Sequence, residues 1–138
     1  MNESTKIDFR YRRIGQIDDL TDLVVILFPG NKNQQRAAAR ILLALRMAKQ
    51  PIPTLAALEC RFGISRRTLQ RARAKLARLG LIEHVTWMNS RYGGQQGWRL
   101  SSRMSGALRQ MAEKVDAWRT DCRRERRDKD ERLVGLLK

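Results

Sequence analysis

Apolar residues in this chain recur mostly at spacings of three and four, and at a spacing of two only in short stretches, so the pattern predicts helices with a small amount of strand. Residues 6–14 alternate Ile7, Phe9 and Tyr11 with Asp8, Arg10 and Arg12, the period of a strand with one apolar face that docks on protein; the alternative is a flexible basic arm. After Gly15, Asp18 or Asp19 can cap a short helix whose Leu20, Leu23, Val24, Leu27 and Phe28 form a broad apolar stripe, ended by Pro29, Gly30 and Asn31. Residues 34–49 make an amphipathic helix with Ala38, Ile41, Leu42, Leu45 and Ala48 inward, terminated by Pro51 and Pro53.

The stretch 54–82 reads as helix, tight turn, helix. The first helix starts near Thr54, buries Leu55, Leu58 and Phe62, and ends at Gly63, where a left-handed turn residue is needed. Ser65 caps the second and Gly80 stops it. Between those limits Leu69, Ala72, Leu76 and Leu79 fall on one stripe, while Arg67, Gln70, Arg71, Ala74 and Arg78 fall on the opposite side. Two short helices cannot bury both of their stripes alone, so the helix at 34–49 is expected to support them in a three-helix core. Beyond Ile82, Val85 and Trp87 alternate with polar neighbours, a turn-rich segment follows, and Trp98 to Ser101 reads as a return strand: a β-hairpin with a long loop, its tryptophans packing on the core. From Ser102 a long helix is expected, with Met104, Leu108, Met111, Val115, Trp118 and Cys122 spaced four, three, four, three, four. That seam can pack on its own domain or on the same helix of a second copy.

Charge changes the picture more than composition does. The chain of 138 residues is 42% hydrophobic, enough for a real core, and carries a net charge of +15. Residues 1–33 hold five Lys/Arg against five Asp/Glu, residues 34–103 fourteen against two, and residues 104–138 ten against seven. A solvated surface normally mixes both signs, whereas the middle segment has only Glu59 and Glu83 as acids, which points to a polyanionic partner. The run Arg123 to Arg132 mixes signs at helical spacing and reads as a solvated helix surface or a frayed end. Cys60, Cys122 and His84 cannot supply a four-ligand zinc site in the usual spacings, and no metal or cofactor is expected. There is no phosphate-binding glycine loop, and His84 has no sequence neighbour that would make it a base, so an enzyme is not expected. The start of the sequence lacks an apolar signal core and its longest apolar run, Leu23 to Phe28, is too short for a bilayer; a cytoplasmic, nucleoid-associated protein is expected.

The segment FGISRRTLQRARAKLARLGLI resembles the recognition half of bacterial winged helix-turn-helix transcription regulators. Phe62, Gly63, Ile64, Ser65, Thr68, Leu69, Leu76, Gly80, Leu81 and Ile82 match that pattern in place, and the likeness covers roughly Gln34 to Arg103. It implies a mostly α fold with a small β-hairpin: an arm and short helix over 1–33, a winged helix-turn-helix domain over 34–101, and a C-terminal helical extension over 102–138. The implied ligand is double-stranded DNA, with helix 65–79 in the major groove and the 83–101 hairpin, the wing, over the backbone. The DNA-facing residues are then Ser65, Arg66, Arg67, Thr68, Gln70, Arg71, Ala74 and Arg78, with Arg91 and Tyr92 at the wing tip. A homodimer through Met104, Leu108, Met111, Val115 and Trp118, with the helix near Leu20 to Phe28 adding to it, would double the DNA site. A promoter regulator and a replication, partition or nucleoid protein that assembles on DNA remain open as alternatives. An RNA- or protein-binding domain is a third; the RNA option lacks an exposed aromatic stacking platform.

Overall fold

The computed structural model describes residues 5–86 and 96–137, and among them shows seven helices and one two-stranded antiparallel sheet. In chain order these are α1 (Tyr11–Ile14), α2 (Leu20–Leu27), α3 (Lys32–Met47), α4 (Ala57–Phe62), α5 (Arg66–Leu79), β1 (Ile82–Val85), β2 (Gly97–Leu100), α6 (Arg103–Thr120) and α7 (Arg124–Val134). The chain divides into two compact units, Met1–Met104 and Ser105–Lys138. No helix among the described residues is long and apolar enough to cross a membrane.

The first unit is built around α3. Asn31 opens it by accepting a hydrogen bond from Gln34 N at 3.0 Å, two residues earlier than periodicity alone suggests. Ala37, Ala38, Ile41, Leu42 and Leu45 are buried on its inner side; small residues at 37 and 38 let neighbouring helices approach closely. α2, capped by Asp19, lays Val24 and Leu27 on this surface and is followed by the buried Phe28. Leu58 of α4 and Leu69, Ala72 and Leu76 of α5 complete the same cluster. Phe28, Leu27, Ile41, Leu76 and Ile82 are fully enclosed, each worth about 1.5–3 kcal/mol relative to an exposed position.

The N-terminal region differs from the expected strand. Residues 6–14 are not a strand: a run without regular secondary structure up to Arg10 leads into the single turn of α1. It is tied to the core by a backbone bond from Asp8 N to Ile26 O at 3.0 Å and by the Lys75 ammonium, which donates to the Lys6 carbonyl at 2.6 Å. Ile7 packs on the core, but Phe9 and Tyr11 are 56% and 77% exposed, so the alternation does not make an apolar face. Asp8 is pinned by a two-pronged bond from Arg10, which holds its carboxyl down at about 2. In α2, Val24, Leu27 and the following Phe28 are buried in the core of its own unit and Leu20 and Leu23 are half-buried against it.

The antiparallel pair runs Ile82 opposite Leu100 to Val85 opposite Gly97. A third segment joins it: Ile52 and Trp98 exchange backbone bonds of 2.9 and 2.8 Å. α3 ends at Met47, with Ala48 already extended, two residues short of the expected end and before either proline is reached; the two prolines hold Ile52, between them, extended against β2. That approach leaves no room at Gly97, where a Cβ would lie 2.4 Å from the Ile52 carbonyl carbon and the backbone has φ +157°. Gly97→Ala is therefore expected to destabilise the fold by more than about 1 kcal/mol in denaturant titration, because the obstacle is backbone that cannot swing aside.

In the second unit the long helix breaks. Asp121 accepts from Arg123 N at 3.2 Å and takes two side-chain bonds from Arg123, each 3.0 Å, so its carboxylate claims a backbone donor that a continuing helix would use. Cys122 consequently lies between α6 and α7 and drops out of the expected seam. The charged run starting at Arg124 forms the separate helix α7, with i,i+4 pairs Arg124–Asp128 and Arg126–Asp130 on its surface.

Candidate nucleic-acid interface

The geometry of α5 is set by three local devices. Gly63 takes the left-handed conformation (φ +61°, ψ +37°) that turns the chain sharply out of α4. Two residues on, the Ser65 hydroxyl accepts from Thr68 N at 3.2 Å and donates to the Thr68 hydroxyl at 2.8 Å, capping the first turn. At the far end Gly80, φ +88°, directs its N–H to Leu76 O and Ala77 O while Leu81 N bonds Leu76 O. A Cβ at Gly80 would also sit 2.9 Å from Met104 N, so the same residue lets the start of α6 pass close by. The result is a 14-residue helix, roughly 21 Å long, anchored along one side by Leu69, Ala72 and Leu76.

The other side is cationic. Arg66, Arg67, Gln70, Arg71 and Arg78 are exposed, and Ala74 lies half-buried among them as a small residue that does not obstruct an approaching surface. Thr68 is half-buried, with its hydroxyl already engaged by Ser65. Among the described residues Arg66, Arg67 and Arg71 have no carboxylate within ion-pair distance. Glu83, one of the two acids of the whole segment, is held by Arg99 opposite it on β2 at 2.7 Å and by Arg103 at 3.3 Å. The negative charge nearest the sheet is thus neutralised within the fold.

Two cations of α5 escaped the sequence reading. Lys75 falls on the buried side, 6% exposed, with its ammonium 4.7 Å from the centroid of the Phe28 ring and bonded to the Lys6 carbonyl. Burial, with a smaller contribution from Arg78, pushes its pKa below the usual lysine value. It fastens the N-terminal segment to α5 and is not available to a ligand. Arg73 stacks its guanidinium over the Trp98 ring at 5.0 Å, and Trp98 meets His84 edge-on at 4.9 Å, so side chains of helix and sheet interlock. Lys75 follows Ala72 by three and precedes Leu79 by four, so spacing sets it at the edge of the apolar stripe, but its partners and the Trp98 partner of Arg73 are distant in sequence and periodicity does not show them. Arg91 and Tyr92, expected at the hairpin tip, lie outside the described residues, as does Trp87.

In α6 the seam positions Leu108, Met111, Val115 and Trp118 are 39%, 63%, 52% and 64% exposed. Met111, Val115 and Trp118 line an open groove of about 420 Å³ together with Ala107, Gln110 and Lys114. Met104 does not belong with them: it is half-buried against the core of the first unit, where its N–H bonds Gly80 O at 3.0 Å. No family model, curated protein or solved structure matches the chain.

Proposed function

We propose that this protein is a sequence-specific double-stranded DNA-binding protein, a transcriptional regulator of winged helix-turn-helix type, with α5 in the major groove and the 83–101 hairpin along the backbone. The observation that carries this reading is the outward face of α5, where Arg66, Arg67, Gln70 and Arg71 stand exposed on a rigidly capped helix. Guanidinium forks suit guanine O6 and N7, an amide suits adenine N6 and N7, and the first two turns of such a helix reach base edges. The order helix, helix, tight turn, helix, hairpin, with an extended residue bridged to the second strand, agrees with that assignment.

The exposed stripe of α6 supports a homodimer through Leu108, Met111, Val115 and Trp118. Their four-three spacing keeps all of them on one side of the helix, and the occupant we assign is the same helix of a second copy, because a two-fold pair repeats the major-groove contact on a second half-site. The same surface would also serve a protein that assembles along DNA for replication, partition or nucleoid organisation. A genome-wide map of bound sites separates the two: a few palindromes beside promoters for the regulator, tandem repeats or broad coverage for the assembly protein.

Base reading is tested by selecting bound DNA from a random pool and repeating the selection with Arg67→Ala and Gln70→Ala. Each substitution is expected to cost about 1–3 kcal/mol on the preferred site and to relax preference at one position. Unchanged preference in both variants would refute the role of α5.

A further inference from the structure

Three arginines outside the outward face of α5 converge on one residue, Phe62, beside the turn that precedes it: two over its ring and one at its carbonyl. Arg40 places its Cζ 3.9 Å from the centroid of the Phe62 ring and Arg61 places its own at 5.2 Å. Arg36, one turn before Arg40 on α3, donates from Nη2 to the Phe62 carbonyl oxygen. Arg36 and Arg61 are exposed and Arg40 is half-buried. Among the described residues none of the three lies within ion-pair distance of a carboxylate.

This arrangement is unfavourable for a bare surface. Like charges gathered around one residue repel, and an isolated surface arginine would ordinarily splay into water or meet an acid. Here stacking on Phe62 and the bond to its carbonyl hold the guanidiniums together instead, so their unused N–H groups are pre-organised and little rotamer freedom is left to lose on binding. Guanidinium forks with free donors match phosphate oxygens, two bonds at a time. The position indicates which phosphate. Phe62 is three residues before Ser65, the cap of α5, so the cluster adjoins the end of α5 that carries Arg66 and Arg67, while the hairpin leaves from the opposite end at Gly80.

We propose that Arg36, Arg40 and Arg61 form a phosphate-binding site that grips the DNA backbone on the N-terminal flank of α5, across the helix from the hairpin. The proposal rests on the DNA reading above and adds a sequence-independent anchor to it. Such an anchor fixes how far α5 is inserted and in which register, without choosing bases itself.

The test uses the full chain and duplexes of the selected and a scrambled sequence, titrated over a salt series. Arg36 is left in place because it holds the Phe62 carbonyl, and Arg40→Gln with Arg61→Gln is compared with the wild type. The double variant is expected to weaken binding to both duplexes by the same factor and to lower the slope of log K against log salt by about two. Arg40→Lys with Arg61→Lys, which keeps the charges, should recover most of that slope. Phosphates whose ethylation blocks wild-type binding on one flank should cease to matter for the glutamine variant. Thermal melting monitors folding; if the double variant unfolds, Arg61→Gln alone, at an exposed position, should reduce the slope by about one. A wild type with steep salt dependence and a folded glutamine variant with the same slope would overturn the anchor and leave the DNA reading standing. A loss confined to the selected duplex would mean that the cluster reads bases, which also overturns it. A wild type that binds neither duplex would remove the DNA reading, and the anchor with it.

Discussion

Raising the salt concentration from about 50 to about 200 mM is expected to weaken DNA binding by about a thousandfold. The expectation follows from where the charge lies. Residues 34–103 carry fourteen basic and two acidic residues, and one of those acids, Glu83, is already spent on Arg99 and Arg103. Arg66, Arg67 and Arg71 on α5 have no carboxylate partner among the described residues, so a phosphate can neutralise them without displacing one. If about six phosphates are contacted, counterion release gives a slope of log K against log salt near −5, and a fourfold change in salt raised to that power is about three decades. Fluorescence anisotropy with a labelled duplex measures it directly. A nearly flat dependence would be incompatible with a nucleic-acid partner, since no polyanion is bound by arginines without releasing its counterions.

The second large effect is expected from Leu108→Asp with Val115→Asp. The wild type should have the mass of a dimer by light scattering, and the double variant that of a folded monomer. Both side chains are exposed on α6, outside the core cluster, so the new carboxylates meet water in the monomer and become buried charges only at a helix–helix interface. The surface is narrower than sequence spacing suggests, since Met104 packs on the first unit and Cys122 lies past the end of the helix. Two linked half-sites, about 34 Å apart, gain their affinity from the second contact being intramolecular, so the monomer should bind a palindromic duplex some 10²–10⁴-fold more weakly while binding one half-site as before. A monomeric wild type would show that this face serves something other than a second copy. A variant that unfolds would show the stripe to be internal packing.

What the sequence determined by itself is what can be decided within a turn or two of the chain. Ser65, Gly63 and Gly80 delimit α5 because a hydroxyl reaches the N–H three residues on, and because only glycine enters a left-handed turn without a steric penalty. The sidedness of α3 and α5 follows equally from the 3.6-residue period, and with it the exposure of Arg67, Gln70 and Arg71. The tertiary structure alone decided which apolar stripes meet. The stripes of α2 and α6 are both amphipathic in sequence, yet Val24 and Leu27 are enclosed on α3 while Met111 and Val115 stay exposed, and periodicity carries no term for the partner. It also decided that Lys75 is buried, through a carbonyl 69 residues away, and that Ile52 joins the sheet at Trp98. Likewise the alternation of Ile7, Phe9 and Tyr11 builds no strand: a strand exists only where a second backbone runs alongside it, and among the described residues the sheet pairs β1 with β2 while Phe9 and Tyr11 stand exposed.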